Sequence, residues 1–132
     1  MIMHEGDVFE GNYVADNMTY ESFIKAFNDR NPLHTSLEFA KSKGFDKIVL
    51  HGNILNGFLS NFIGEILPIK DVMIISQSID FHNPFHLNDE IYLKAKLVNL
   101  SNAVKTAEFK FVFRNQHSFK LAKGTIIIKL IE

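Results

Sequence analysis

One long apolar helix is predicted by residues 51–68, which read HGNILNGFLSNFIGEILP. After His51-Gly52, apolar side chains recur at helical spacing and form a broad stripe that stops at Pro68: Ile54, Leu55, Phe58, Leu59, Phe62, Ile63 and Ile66. Such a stripe is too wide for one neighbouring element to cover. The rest of the chain therefore has to wrap around this helix.

Two-residue alternation of apolar side chains predicts strands in the second half of the chain. One run places Ile91, Leu93, Ala95 and Leu97 on a single face. Turn residues separate the runs, among them Asn88-Asp89, Ser101-Asn102 and Asn115-Gln116. Four long antiparallel strands follow, with an extra one early in the chain: residues 72–81, 91–98, 107–113, 119–131 and 8–14. The pattern by itself indicates the α+β class, with a sheet wrapped around the long helix.

Two shorter helices are predicted before the long one. The first covers residues 19–28 and has apolar side chains at the i, i+3, i+4 and i+7 positions of one buried face. The second covers residues 36–43, with Thr35 or Ser36 as its cap and Gly44 closing it. In the last strand, an interior glycine, Gly124, is expected to mark a β-bulge.

Composition excludes several classes of function. A chain of 132 residues fits one domain, residues 1–132, and its net charge of −1 gives no basic surface for nucleic acid. The chain has no cysteine and therefore no disulfide, thiolate zinc site or cysteine nucleophile. The absence of disulfides suits a cytoplasmic protein. The first residues lack the pattern of a signal peptide. No membrane-spanning segment is predicted, because polar residues interrupt the longest apolar stretch: Asn53, Asn56, Asn61 and Glu65.

The candidate chemistry lies in residues 29–34, which read DRNPLH. Asp29 and His34 are five positions apart, and an ordinary helix would send their side chains to diverging faces. A turn at Asn31-Pro32 can instead bring the carboxylate and the imidazole to one point. A carboxylate and a histidine that converge can hold a water molecule and exchange its protons, which is general acid–base chemistry.

These residues resemble the motif of the MaoC-like, (R)-specific enoyl-CoA hydratases. The most specific part of the match is Asp29, Asn31, Pro32, Leu33 and His34, followed by a five-residue spacer and the small residue Ala40. The resemblance continues as Ile48-Val49-Leu50-His51-Gly52, Ser60, Leu67-Pro68, Phe81, Pro84 and Asn88-Asp89. It covers nearly all of the chain from about Thr19 onward.

The resemblance implies a hotdog fold and the hydration of trans-2-enoyl-CoA to (R)-3-hydroxyacyl-CoA, a reversible reaction. It implies that Asp29 and His34 are the catalytic pair, with the two proton-transfer roles unassigned. The backbone N–H of Gly52, at the start of the long helix, is the candidate donor to the thioester oxygen.

Other residues and partners receive supporting roles from the same resemblance. Asn31 braces the turn, Ser60 is a candidate hydrogen-bonding group of the pocket, and the candidate acyl-pocket residues are Phe27, Leu33 and Phe39. No metal and no cofactor are expected beyond the CoA or acyl-carrier thioester that serves as substrate. A homodimer or a higher homo-oligomer is expected.

Three positions depart from the family pattern. Phe27-Asn28 replaces Ser-Gly before the aspartate, Ile69 replaces a glycine after Leu-Pro, and Asn88 replaces the glycine before Asp89. Asparagine tolerates glycine-like backbone angles better than most residues, so the turn before Asp29 is expected to survive.

Several alternatives remain open at this stage. A 3-hydroxyacyl-carrier-protein dehydratase differs only in the carrier, and a non-catalytic hotdog module would keep the scaffold alone. A hotdog thioesterase is disfavoured, because the only acidic residue of the long helix, Glu65, lies at its far end. On a structural interpretation, Asp29 merely forms a turn, His34 starts a helix, and His51 packs or hydrogen-bonds at a strand end.

Overall fold

The structure, a computed structural model, describes residues 2–131; the two ends of the predicted domain, Met1 and Glu132, lie outside the described residues. Five strands and four helices follow one another along the chain in this order: β1 Val8–Val14, α1 Asn17–Phe27, α2 Pro32–Thr35, α3 Leu37–Ser42, α4 Ile54–Asn61, β2 Val72–Phe81, β3 Glu90–Ser101, β4 Thr106–Asn115 and β5 Lys120–Leu130. The helix α4 continues into a π-helical turn over Phe62–Ile66. None of the helices in the described part of the chain is long and apolar enough to cross a membrane.

All five predicted strands form one antiparallel sheet with the order β1-β3-β4-β5-β2. The inward-facing residues of the central strands, such as Phe109 and Phe113, are fully buried. They belong to the same core cluster as Leu55, Leu59 and Phe62 of the long helix, and the rings of Phe62 and Phe109 meet edge to face at 5.7 Å. The sheet therefore wraps the apolar helix, which confirms the α+β class and the hotdog arrangement.

The expected bulge at Gly124 is wrong. Gly124 pairs in regular register with Ile79 on β2 and with Phe111 on β4. A Cβ atom at this position would lie 2.0 Å from the Ser78 carbonyl oxygen and 2.7 Å from the Phe111 ring. Glycine is needed here because neighbouring groups approach the backbone too closely for any side chain, which is the other reason for a glycine inside a strand.

The first helix, α1, begins at Asn17, two residues before the predicted start at Thr19. Asp16 caps it, since the Asp16 Oδ1 atom accepts hydrogen bonds from the Thr19 N–H at 2.9 Å and the Thr19 hydroxyl at 2.8 Å. The helix ends at Phe27, and Asn28 takes the left-handed conformation with φ of 55°. Asn28 thus adopts the glycine-like backbone angles expected where the family pattern has a glycine.

The turn predicted at Asn31-Pro32 is a single helical turn, α2. Pro32 is its first residue, a position where a helix needs no N–H donor, and Asn31 caps it by accepting from the Leu33 N–H at 3.0 Å. The next helix, α3, lies within the predicted bounds, and Ser36 is its cap. The segment that holds α2 is tied to the residues before α4, because the Val49 N–H donates to the Leu33 carbonyl oxygen at 3.3 Å.

Candidate active site

Three side chains, two of them close in the sequence and one from further along the chain, meet beside the start of α4. Asp29 follows the end of α1, His34 lies on α2, and His51 lies in the segment just before α4. One side-chain nitrogen or oxygen atom of each lies within 4.8 Å of the others. The structure therefore brings Asp29 and His34 together, and it adds a second histidine to them.

Backbone carbonyls fix the orientation of His34. Its Nδ1 atom lies 2.7 Å from the Val49 carbonyl oxygen, and a carbonyl can only accept, so Nδ1 carries the hydrogen. In the neutral ring the other nitrogen, Nε2, is then left with a lone pair. The Tyr20 hydroxyl donates to the carbonyl oxygen of His34 at 2.6 Å. His34 is thus held through its ring and its backbone at once, with Nε2 available to take or give a proton.

Asp29 is the accessible member of the group. Its side chain is 46% exposed, and the Oδ2 atom lies 4.0 Å from the Nε2 atom of His51. The Oδ1 atom accepts from the backbone N–H of Asn31 at 3.2 Å. Asn31 in turn caps α2, so in the structure its side chain shapes the turn that carries Asp29 and His34.

His51 is the member that the sequence analysis left as a packing or hydrogen-bonding residue. It is 2% exposed, its Nε2 atom lies 2.9 Å from the Asp29 carbonyl oxygen, and its ring lies 4.0 Å from that of His34. Burial lowers the pKa of His51; the hydrogen bond to Asp29 raises the pKa, and the nearby His34 lowers it again. The His-Gly pair of the family motif was the one signal in the sequence that pointed to this residue.

Two cavities flank the group. The larger, of about 860 Å³, has Asp29 on its wall. The rest of the wall is formed mainly by apolar side chains of α1 and α4, namely Met18, Phe23, Phe27, Ile54 and Phe58. The smaller, of about 390 Å³, is bordered by His34, Gly52 and Phe81. Asn53 borders both cavities. Asp29 therefore faces the larger, apolar cavity, and His34 faces the smaller one.

Gly52 has the local geometry of a donor site. A Cβ atom at this position would lie 3.0 Å from the Phe81 ring, so glycine keeps the backbone accessible beside the smaller cavity. The N–H of Gly52 has no acceptor among residues 2–131, and Asn53 makes no side-chain cap at the start of α4. Free donors at a helix start favour a negatively charged oxygen.

The remaining predicted residues are placed less centrally. Ser60 lies on the exposed side of α4 and borders neither of the two cavities. Of the three acyl-pocket candidates, Phe27 lines the larger cavity and lies 4.9 Å from the Phe23 ring. Leu33 is half-buried and Phe39 is exposed, with the Lys43 ammonium 5.2 Å from its ring, and neither borders these cavities.

A carboxylate and two imidazoles are also the groups that bind transition metals. Backbone carbonyls already engage one nitrogen of each ring, at Val49 for His34 and at Asp29 for His51. The second nitrogen of His51 is buried, which leaves only His34 Nε2 and the Asp29 carboxylate accessible. That no metal binds here stays a prediction.

Known proteins resemble this chain over most of its length. The curated (R)-specific enoyl-CoA hydratase of Aeromonas caviae is 27% identical over 109 residues, which cover 83% of this chain and 81% of that protein. The mitochondrial 3-hydroxyacyl-[acyl-carrier-protein] dehydratase of Arabidopsis thaliana is 25% identical over 126 residues, 93% of this chain and 75% of that protein.

Solved structures agree on the fold. The (R)-hydratase of A. caviae superposes with a TM-score of 0.90 at 23% identity and covers 98% of both chains. The R-hydratase PhaJ1 of Pseudomonas aeruginosa superposes with a TM-score of 0.89 at 20% identity, over 98% of this chain and 83% of that one. The family model described as the MaoC like domain matches residues 13–118, and this chain therefore belongs to the MaoC-like hydratase and dehydratase family.

Proposed function

We propose that this protein catalyses the (R)-specific hydration of trans-2-enoyl-CoA to (R)-3-hydroxyacyl-CoA and the reverse dehydration. The observation that carries the proposal is the meeting of the Asp29 carboxylate with His34, whose Nδ1–H is held by Val49 so that Nε2 remains for proton transfer. The likeness to the A. caviae hydratase supports the same reaction. The reaction needs only water and the thioester, so no cofactor and no metal are part of the proposal.

The proposed mechanism places one water molecule between Asp29 and His34 Nε2. The pair starts with one exchangeable proton, and the group that lacks it takes a proton from the water while the water oxygen forms a bond to carbon three of the enoyl chain. The electron pair of the double bond moves toward the thioester oxygen, where the Gly52 N–H stabilises the developing charge. The other group gives a proton to carbon two, and the pair then regains its starting state by exchanging a proton. Asp29 and His34 act as one titrating unit in this scheme.

The direct test follows the ultraviolet absorbance of the conjugated double bond of crotonyl-CoA, with chiral analysis of the product. The wild-type protein is expected to form the (R) product, and Asp29→Asn and His34→Ala to lose at least about 100-fold in kcat while remaining folded. Asp46→Asn and His117→Ala, which change exposed groups outside the two cavities and away from β2, serve as matched controls. Turnover that survives both substitutions at the pair would refute the mechanism.

A second candidate keeps the chemistry and changes the carrier. The likeness to the A. thaliana dehydratase, whose name specifies acyl-carrier-protein substrates, favours this possibility and spans 93% of this chain. Presenting the same acyl chain on CoA and on acyl-carrier protein distinguishes the two. A kcat/KM that is at least about tenfold higher on the carrier protein would replace CoA as the proposed substrate.

We also propose that the protein acts as a homodimer that pairs through β2. Among residues 2–131, this strand pairs with β5 and with no other strand, so its other edge is open. Its exposed side chains include Met73, Ile75 and Phe81, each about half exposed. An open edge with apolar side chains is a ready surface for pairing with a second sheet. Sedimentation of the purified protein over a range of concentrations tests the dimer.

We further propose that the protein is located in the cytoplasm.

A further inference from the structure

His51 contacts both members of the proposed catalytic pair. Its Nε2 atom lies 2.9 Å from the carbonyl oxygen of Asp29, and its ring lies 4.0 Å from the ring of His34 at an interplanar angle of 31°. Phe23 lies against the same ring at 4.7 Å, and Tyr20 lies at 6.0 Å. The His51 ring is therefore enclosed by aromatic side chains, with one polar contact to the backbone of Asp29.

The direction of that polar contact follows from its partner. A backbone carbonyl oxygen can only accept, so the hydrogen lies on the Nε2 atom of His51. The other nitrogen, Nδ1, is buried and has no hydrogen-bond partner among residues 2–131. An enclosed imidazole with a bare Nδ1 is in its neutral form, because a protonated ring would bury a second, unpaired donor.

We propose that His51 is a positioning residue that fixes Asp29 through the Nε2–H donor and His34 through the tilted contact of the two rings. The inference rests on the proposed hydratase function, since it assigns His51 to the support of that pair. Asp29 follows the helix end at Asn28, and its backbone is otherwise anchored by local contacts of the turn. The donor of His51, 22 positions along the chain, ties this turn to the start of α4.

A purely structural role would need only the ring. Phenylalanine fits an aromatic enclosure better than histidine does, and it leaves no buried nitrogen without a partner. What phenylalanine cannot provide is the donor to the Asp29 carbonyl. Histidine thus provides a donor to Asp29 at this position but leaves Nδ1 buried without a partner. The experiment therefore has to separate the effect of the donor from that of the ring.

Three variants of His51 separate the donor from the ring. His51→Gln keeps a donor at the reach of Nε2, His51→Asn carries its amide nitrogen at the reach of Nδ1, and His51→Phe keeps only a ring. We expect kcat on crotonyl-CoA to fall about 100-fold in the Phe and Asn variants, with KM within about threefold of wild type, because the reacting groups are misplaced. The Gln variant is expected to recover kcat to within about tenfold of wild type.

His86→Phe is the matched control, since the Nδ1 atom of His86 also bonds to a backbone carbonyl, that of Ile48 at 2.9 Å. His86 borders neither cavity beside the pair, so its variant is expected to keep kcat within about threefold. Full activity in a folded His51→Phe would overturn the proposal. So would equal loss in the Gln, Asn and Phe variants when all three have native circular dichroism.

Nitrogen correlation spectra of the histidine rings test the geometry without activity. In the wild type we expect His51 to carry its hydrogen on Nε2 and His34 on Nδ1. In His51→Phe we expect His34 to become a mixture of tautomers, because the contact with the His51 ring no longer holds the His34 ring against the Val49 carbonyl. A hydrogen on Nδ1 of His51 would overturn the proposal. If the wild type turns over no enoyl thioester, the proposed function fails, and these spectra still decide whether His51 fixes its neighbours.

Discussion

His34 is held from two directions by residues far from it in the sequence. Its ring donates to the carbonyl of Val49, and its own carbonyl accepts from the Tyr20 hydroxyl at 2.6 Å. Replacing Tyr20 by Phe removes the second contact and keeps the ring. We expect the free energy of unfolding, measured in urea, to fall by about 1 kcal/mol because a partly buried carbonyl loses its donor. A several-fold fall in kcat should accompany it as α2 loosens.

Tyr92→Phe provides the control for the loss of a hydroxyl. The Tyr92 hydroxyl donates to Glu90 at 3.2 Å on the exposed face of the sheet. Water replaces a contact of this kind easily, so this variant should match the wild type in both stability and kcat. Equal effects of the two substitutions would show that the Tyr20 contact contributes nothing specific to His34.

A second residue, His51, gives the stability of the protein a dependence on pH. Burial lowers its pKa in the folded state below the ordinary value of about 6.5. The unfolded chain therefore binds a proton more readily, and the stability that His51 contributes is present above about pH 6.5 and is lost as the pH falls below it. The charged and titratable neighbours that face His51 are Asp29 and His34.

Urea unfolding at several pH values between about 8 and 5 measures this contribution. The His51→Gln variant lacks this titrating group, so it does not lose the His51 contribution at low pH as the wild type does. The difference in the free energy of unfolding between the two proteins should therefore narrow as the pH falls. One proton can account for a slope of at most about 1.4 kcal/mol per pH unit. Parallel curves for the two proteins would contradict the lowered pKa.

At this scale the sequence predicted the candidate pair, Asp29 and His34, and did not reveal the residues that hold it in place. Asp29 and His34 are close in the sequence and carry a recognisable motif across Asn31-Pro32. Tyr20 and Val49 act on His34 from 14 and 15 positions away, through contacts that exist only once α1 and the segment before α4 have packed. Local spacing carries no information about such contacts, so no pattern in the sequence could have identified them.

At the scale of elements, the end of α1 sets the start of the turn that carries Asp29 and His34. Asn28, the residue after the helix, has φ of 55°, and its N–H donates to the Ile24 carbonyl oxygen, which ends α1 at Phe27. Asn28→Gly should leave the free energy of unfolding equal or slightly higher, because glycine adopts this conformation freely. Asn28→Val should lower it by about 1–2 kcal/mol and reduce kcat, since a β-branched residue resists the left-handed region.

Thermal unfolding and the crotonyl-CoA assay, carried out on both Asn28 variants, measure this effect. Glu21→Val, at an exposed position within α1 that borders neither cavity, is the control for adding a β-branched residue to the same helix. It should cost only about 0.5 kcal/mol through helix propensity. Equal losses for the two valine variants would mean that the left-handed backbone of Asn28 carries no particular constraint.

Element types were predictable here and fine geometry was not. Helical and two-residue periodicities give the three longer helical segments and all five strands. The π-helical turn at Phe62–Ile66 closes with a bond from the Leu67 N–H to the Phe62 carbonyl, and it keeps the same apolar residues facing the sheet, so periodicity does not reveal it. Gly124 was misread because a strand glycine indicates either a bulge or close packing, and only the neighbours decide between the two.

At the scale of the whole molecule, the sheet leaves two open edges of different character. β1 at one edge is partly covered by its own contacts to the helix, since the Tyr13 hydroxyl donates to Asn61 at 2.8 Å. β2 at the other edge is exposed along most of its length, and Ile75 lies in a register shift that leaves it unpaired with β5. Phe81, at the end of β2, also lines the smaller cavity beside His34. A partner paired to β2 would therefore border the candidate active site.

Lysine substitutions at the two edges separate a β2 dimer from other forms of association. Met73→Lys with Ile75→Lys should give a monomer in sedimentation experiments, because charges at an open edge oppose pairing. Val8→Lys with Val14→Lys, at similarly exposed positions on β1, should leave the dimer intact. If the cavity beside His34 is completed at the interface, the β2 variant should also lose kcat/KM while its circular dichroism stays native. Dissociation by the β1 pair alone, or a wild type that is monomeric at every concentration, would exclude β2 as the dimer edge.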